Sequence, residues 1–159
     1  MKVLLTLAIF GTAILFCGAS ADAAETFTIK QDKPKLTDVD VGEKGASHGD
    51  ILAFEATFTV DNGTKGEIRG MVTTVDVPNG ANDAHYDRVE NIVLDFGGQD
   101  TLVAIGKSTY PGGAGEIVPD TPVVRAIAGG TGRYIGARGQ ISTSRREDGR
   151  YEHVVILVD

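Results

Sequence analysis

From residue 51 the chain alternates strictly between large apolar and small or polar positions. In "ILAFEATFTV", Leu52, Phe54, Ala56, Phe58 and Val60 fall on one face, and Ile51, Ala53, Glu55, Thr57 and Thr59 on the other. That period of two predicts a strand. "DNGTKG" follows, and its Asn62-Gly63 pair predicts a hairpin, because both residues tolerate the positive φ such turns need. "GEIRGMVTTVDV" returns as a second strand. After the loop "PNGANDAH" come "YDRVENIVLDF", the turn "GGQD" and "TLVAIGKSTY". A longer loop, "PGGAGEIVPDTP", leads to "VVRAIAGG", and "ARGQISTSRR" and "RYEHVVILV" close the chain around "EDG". Near the start, "TFTIKQ" reads as one more strand, followed by a polar stretch to residue 49. About eight short strands and no amphipathic helix of three turns predict an antiparallel sandwich or barrel. Closure into a barrel also hides the strand edges. The alternation does not say which face of each strand is inside.

The first residues follow another pattern. Lys2 precedes the apolar run "VLLTLAIFGTAILF", and "CGASADAA" then offers small-residue cleavage positions within Ala21 to Ala24. This is the layout of a secretory signal peptide over residues 1–24, with one domain over 25–159. The run is shorter than the roughly 20 apolar residues of a membrane anchor. Phe16 before Cys17 does not suit lipidation, which needs a small residue there. The expectation is a secreted protein, extracellular or periplasmic, with no membrane anchor. Cleavage removes Cys17, the only cysteine, so the mature domain has no disulfide and no thiol ligand for a metal. The sequon Asn62-Gly63-Thr64 sits on the hairpin tip, where glycosylation is sterically open in a eukaryotic secretory route, though chance occurrence explains the match better.

A length of 159 residues suits a single core. The formal charge of −7 and pI near 4.9 argue against a nucleic-acid partner, because a polyanion is repelled. His48, His85 and His153 are scattered without metal-ligand spacing, so no metal is expected. No G-x-S-x-G or Ser-His-Asp arrangement presents itself.

The run "AIAGGTGRYIGARGQIS", residues 126–142, is the richest in glycine. A dinucleotide fingerprint needs G-x-G-x-x-G opening a helix, and a P-loop needs Gly-Lys-Ser/Thr at its end. Here the glycines are followed by a strand-like "ARGQISTSRR", so a bend between strands fits better than a phosphate cradle. The same segment resembles the G-G-[ST]-G-x-aromatic-x-x-A-x-G signature shared by allene oxide cyclases and dirigent proteins. Gly129, Gly130, Thr131, Gly132, Tyr134, Ala137 and Gly139 fit it position by position. "GDILAFEATFTV" and "GEIRGMVTTVD" are similar to the strands of those families that precede it, and the likeness spans roughly residues 49–158.

The resemblance implies an all-β fold, an eight-stranded antiparallel barrel with a mostly apolar cavity, commonly a homotrimer. It implies a cofactor-free protein that holds a small hydrophobic or phenolic ligand while it cyclises or couples. Such orientation is worth up to several kcal/mol. A ligand-binding barrel implies a cavity on the order of 300 Å³ or more. The positions of an asparagine and a cysteine used by plant cyclases are Ala56 and Val72 here, which argues against allene oxide cyclase activity itself. Arg138 matches a dirigent pocket arginine, while Arg133 stands where an aspartate is sometimes found, and no dirigent tyrosine stands near Met71 or Val72.

Glu55 and Arg138 are the expected catalytic pair. Arg138 is a donor to a ligand oxygen or else an ion-pair partner at the rim. Glu55 points inward as an acid or base if the Leu52 face turns outward, and otherwise faces solvent. Arg69, Arg125, Tyr110 and Tyr134 are expected ligand contacts. For Arg69 a cross-strand ion pair explains the residue as well, and for the tyrosines core packing with a wet hydroxyl does. Arg125, between Val123 and Ile127 on one strand face, lines the cavity or reaches its mouth. The alternatives are a lipocalin-like carrier without chemistry and a structural or defence trimer with a filled interior. Pocket residues, not fold, decide among them.

Overall fold

A computed structural model describes residues 25–77, 85–111 and 115–158. The expected signal peptide and most of the "PNGANDAH" loop lie outside the described residues. Nine strands form: β1 (Glu25–Gln31), β2 (Lys35–Val39), β3 (Ile51–Val60), β4 (Lys65–Asp76), β5 (His85–Asp95), β6 (Thr101–Pro111), β7 (Val123–Thr131), β8 (Arg138–Arg145) and β9 (Tyr151–Val158). All pair antiparallel in the order β1-β9-β8-β7-β6-β5-β4-β3-β2, and β1 also pairs with β3, which closes the ring.

The ring is an eight-stranded barrel in which one strand is broken. β1 runs beside Phe58–Val60 of β3, and β2 runs beside Ile51–Glu55 of the same strand. Between them Asp32 still donates its N–H to the Thr57 carbonyl at 3.0 Å, and Pro34, which has no N–H to give, sits at the break. The polar stretch after "TFTIKQ" therefore contains a strand that the sequence pattern does not reveal. All five of its residues are exposed, so it carries no alternation to read.

Alternation decides the rest. Leu52, Phe58 and Val60 of β3 are buried inside the barrel, while Thr57 and Thr59 face out. The lower part of the bore is packed apolar, with Ile29, Phe58, Ile68, Ile92, Leu94, Leu102, Ile141 and Val155 all nearly inaccessible. Burial of this kind is the main force closing the ring.

The glycine segment makes the expected bend and no helix of nucleotide-binding type. β7 ends at Thr131, a single 3-10 turn spans Gly132–Tyr134, and β8 begins at Arg138. Gly139 has φ +150°, and a Cβ there would run into the Ile156 carbonyl oxygen on β9. Close backbone approach explains this glycine. Tyr134 turns inward onto Phe96, ring centroids 4.9 Å apart, and stops the bore at that end.

Candidate functional site

Followed from the Tyr134 end toward the other, the inward face of six adjacent strands changes character at one level. β5 passes from Leu94 and Ile92 to Glu90, β6 from Leu102 and Ala104 to Ser108, and β7 from Ile127 to Arg125. β8 passes from Ile141 to Thr143, β9 from Leu157 and Val155 to His153, and β1 from Phe27 and Ile29 to Gln31. Each strand thus adds one buried polar side chain to a belt around the bore, which pairing β5-β6-β7-β8-β9-β1 makes contiguous.

The belt holds two hydrogen-bonded chains. In the first, Arg125 pairs with Glu90, their side chains 1% and 6% exposed. The Arg125 Nη2 group also donates to Ser108 Oγ at 2.7 Å, and Ser108 donates to Glu90 Oε2 at 3.0 Å. The Tyr110 hydroxyl donates to the same oxygen at 3.4 Å. Burial, then the Glu90 charge, raises the Tyr110 pKa far above the ordinary phenol range, so it stays a donor. Arg125 fits because Gly106 on β6 lacks a side chain: a Cβ there would lie 3.0 Å from the Arg125 Cγ. A buried ion pair is rarely the most stable way to fill such a space, which directs attention to what it does.

In the second chain, Gln31 Oε1 can only accept, so His153 donates Nε2–H to it at 2.8 Å. His153 Nδ1 then accepts from the Thr143 hydroxyl at 2.9 Å. The ring is neutral with both nitrogens occupied. Burial, and secondarily the Arg125 charge, pushes its pKa down to about 3.

Above the belt, residues 115–121 cross the bore as an irregular strap. Its Ile117 side chain is buried among Leu52, Val72 and Tyr110. Glu116 fastens it, accepting from Arg145 Nη2 and from the Tyr151 hydroxyl, each at 2.9 Å. Between strap and belt remains a cavity of about 40 Å³, lined by Glu90, Arg125, His153, Tyr110, Ile117 and Tyr151 among others. This corrects the expected 300 Å³: the void holds a few waters at most, because aromatic and branched side chains fill the lower bore and Ile117 fills the mouth.

The structure separates the expected site residues. Arg125 and Tyr110 lie together in the belt, as inward-facing neighbours on β7 and β6. Tyr134 is inward too, but at the apolar end, where its hydroxyl meets Arg133 Nη2 at 2.6 Å. The Leu52 face points in, so Glu55 points out, where Lys35 pairs with it at 3.0 Å; an inward Glu55 is corrected by the register. Arg69 is also outside, opposite Glu55 in the strand register and paired with Glu67. Arg138 is exposed on the outer face at the start of β8. Glu55 and Arg138 therefore do not meet inside the barrel. Glu90, Ser108, Thr143, Gln31 and His153 were not anticipated. The available signal was "YDRVENIVLD", where Tyr86, Arg88 and Glu90 share a face with Ile92 and Leu94.

Among the described residues no cluster of His, Cys, Asp and Glu could hold a metal, and no helix is long and apolar enough to cross a membrane. The sequence matches no family profile and none of the curated proteins compared with it. Solved structures do share the fold. Pyocyanin demethylase superposes with TM-score 0.61 at 20% identity over 86% of this chain and 100% of its own. The Diels-Alderase AbmU from Streptomyces koyangensis gives 0.60 at 18%, over 86% of this chain and 64% of its own. The pterocarpan synthase dirigent protein GePTS1 gives 0.52 at 15%, over 96% of this chain and 100% of its own. The barrel implied by the resemblance to dirigent proteins and allene oxide cyclases is the barrel found.

Proposed function

We propose that this chain is an exported, cofactor-free barrel that takes a small apolar or aromatic molecule into the mouth end of its bore. There it holds the guest in one conformation for ring closure or coupling. The observation that carries this reading is Arg125: a guanidinium buried inside the barrel, locked by Glu90 and Ser108, with Nε and Nη1 lacking any partner. Structural neighbours named as a Diels-Alderase and a dirigent protein support the same class of ligand and chemistry. Entry requires the Ile117 side chain to leave the mouth. The strap that carries it is fastened by the Pro119–Arg145 β-bridge, the Asp120 N–H to the Arg145 carbonyl, the Asp120–Arg146 ion pair and the Glu116 contacts.

A thermal-shift screen of the chain from residue 25 onward against enones, phenylpropanoids, polyketide fragments and fatty acids tests the reading. The expected result is stabilisation by one class, lost when Arg125 and Glu90 are replaced together by Met and Gln. The small cavity favours a second reading, a filled barrel whose belt is purely structural. A panel in which nothing binds would decide for it. We also propose self-association as a trimer through the outer face of β4–β7, where Met71, Val93, Ile105 and Val124 are all exposed. Light scattering on the purified protein tests this, and a monomer at micromolar concentration would refute it.

A further inference from the structure

The polar half of the bore is unbalanced in its hydrogen bonding. Arg125 Nη2 is satisfied by Glu90 and Ser108, but Nε and Nη1 are buried with no acceptor. Arg145, which holds the strap, likewise has a buried Nε with no acceptor. A guanidinium cannot shed its charge, and that of Arg125 is held by Glu90 and Ser108 with its stem beside Gly106. Each unmet buried donor is unfavourable. No carboxylate, hydroxyl or amide oxygen among the described residues is buried without a partner. Several acceptors around the cavity are already engaged. Glu90 Oε2 receives Ser108, Tyr110 and Arg125. Gln31 Oε1 and His153 Nδ1 are each taken, and both Glu116 oxygens hold the strap contacts.

Charge narrows the guest further. The two ion pairs bordering the cavity, Glu90 with Arg125 and Glu116 with Arg145, each cancel. Arg88, at the mouth, lies over the Tyr86 and Tyr110 rings. A carboxylate guest would bring a full charge into the buried half of the bore, where Arg125 and Arg145 are already matched by Glu90 and Glu116. A hydroxyl guest would bring a further proton to a wall whose unmet groups are donors, and it would have to compete for oxygens already bonded. A neutral carbonyl oxygen satisfies both conditions, and the flanking Leu52, Val72, Ile117 and Tyr110 suit an apolar or aromatic body.

Resting on the ligand-binding reading above, we infer that the guest is a neutral carbonyl compound, a ketone, enone or quinone, whose oxygen is received by the free N–H groups of Arg125. Where that carbonyl is conjugated to an alkene, the hydrogen bonds draw electron density from the double bond. Arg125 then polarises the reacting system as well as orienting it.

Three probes of one shape test this: benzylideneacetone, the allylic alcohol made by reducing it, and cinnamate. Titration calorimetry is expected to give the ketone at least about tenfold tighter binding than the other two, about 1.4 kcal/mol. Difference infrared spectroscopy should find its bound C=O band at lower frequency than in hexane. In Arg125→Met with Glu90→Gln the band should return toward the hexane position. If that pair does not fold, Ser108→Ala, which removes one acceptor holding Nη2, should still shift or broaden the band. Equal or tighter binding of the alcohol or cinnamate overturns the inference, as does a bound ketone whose band neither sits low nor responds to these variants. Either result leaves ligand binding itself standing; failure of all three probes to bind overturns the carbonyl inference, and the wider thermal-shift panel decides the ligand-binding reading.

Discussion

The neutral His153 makes a quantitative demand on stability. Its pKa is 6.5 in an unfolded chain and about 3 in the barrel. Above pH 6.5 the ring is neutral in both states, and the fold carries no penalty from it. As pH falls below 6.5 the unfolded chain takes up a proton that the folded chain refuses, so stability declines. The slope approaches about 1.4 kcal/mol per pH unit and continues until the folded ring also titrates near pH 3. Between pH 6.5 and 4.5 the loss should reach about 2 kcal/mol, a large share of a small domain's total. His153→Gln keeps a polar group near Gln31 and Thr143 but cannot titrate. Urea unfolding of both proteins at half-unit intervals from pH 8 to 4 gives the difference in stability as a function of pH. Wild type should lose ground to the variant steadily below pH 6. Asp50, Asp87 and Asp148 have pKa values below the ordinary carboxylate value, through backbone or side-chain hydrogen bonds. Their contributions are present above that value, fade at lower pH than the histidine's, and cancel in the difference. Parallel curves across pH 7 to 4.5 would refute the assignment of a buried, neutral His153.

Other consequences are as direct. Arg125→Met alone should destabilise by about 3–5 kcal/mol, because Glu90 is left buried and unpaired, and Glu90→Leu added to it should recover most of the loss; urea midpoints decide, and a single-variant cost under about 1 kcal/mol would contradict the burial. Gly139→Ala should cost at least about 2 kcal/mol, since its φ of +150° and the Ile156 carbonyl both oppose a side chain. Glu55→Ala and Arg138→Ala, both on the outer face, should stay within about 0.5 kcal/mol of wild type and leave guest binding unchanged; loss of binding in either would move the site out of the bore. Ile117→Ala should cost about 2–5 kcal/mol and tighten binding of any guest, because it vacates the mouth; calorimetry with benzylideneacetone measures it.

The fold was legible because most strands have one wet and one dry face. β3 shows this plainly, and Asn62-Gly63 marks its turn, with Gly63 at φ +88°. The glycine segment was legible as a bend because a strand pattern, not a helix, follows it. β2 was hidden because none of its residues is buried. The site was harder for a physical reason: the belt puts polar groups where period-two reading expects core. On β5 the outer face shows Val89 and Val93 while the inner face holds Glu90, so hydrophobicity alone assigns the upper half of that strand backwards. Arg125 stood out between Val123 and Ile127 because a charge there interrupts an otherwise apolar face. Glu55 and Arg138 drew attention by residue type, and only the register shows that they look outward.

The pairing of β1 with β9 joins Glu25 to Leu157 across almost the whole described chain. No earlier hairpin can stand in for that seam, so the cylinder stays an open sheet until its last strand has been supplied. During synthesis and any crossing of a membrane, the flanking strands keep unpaired peptide groups exposed, the condition under which sheets join to their neighbours. Assembly of this molecule is thus governed by its two ends finding each other, a slow, long-range event, and a chaperone that shields those borders would act at the step that matters most.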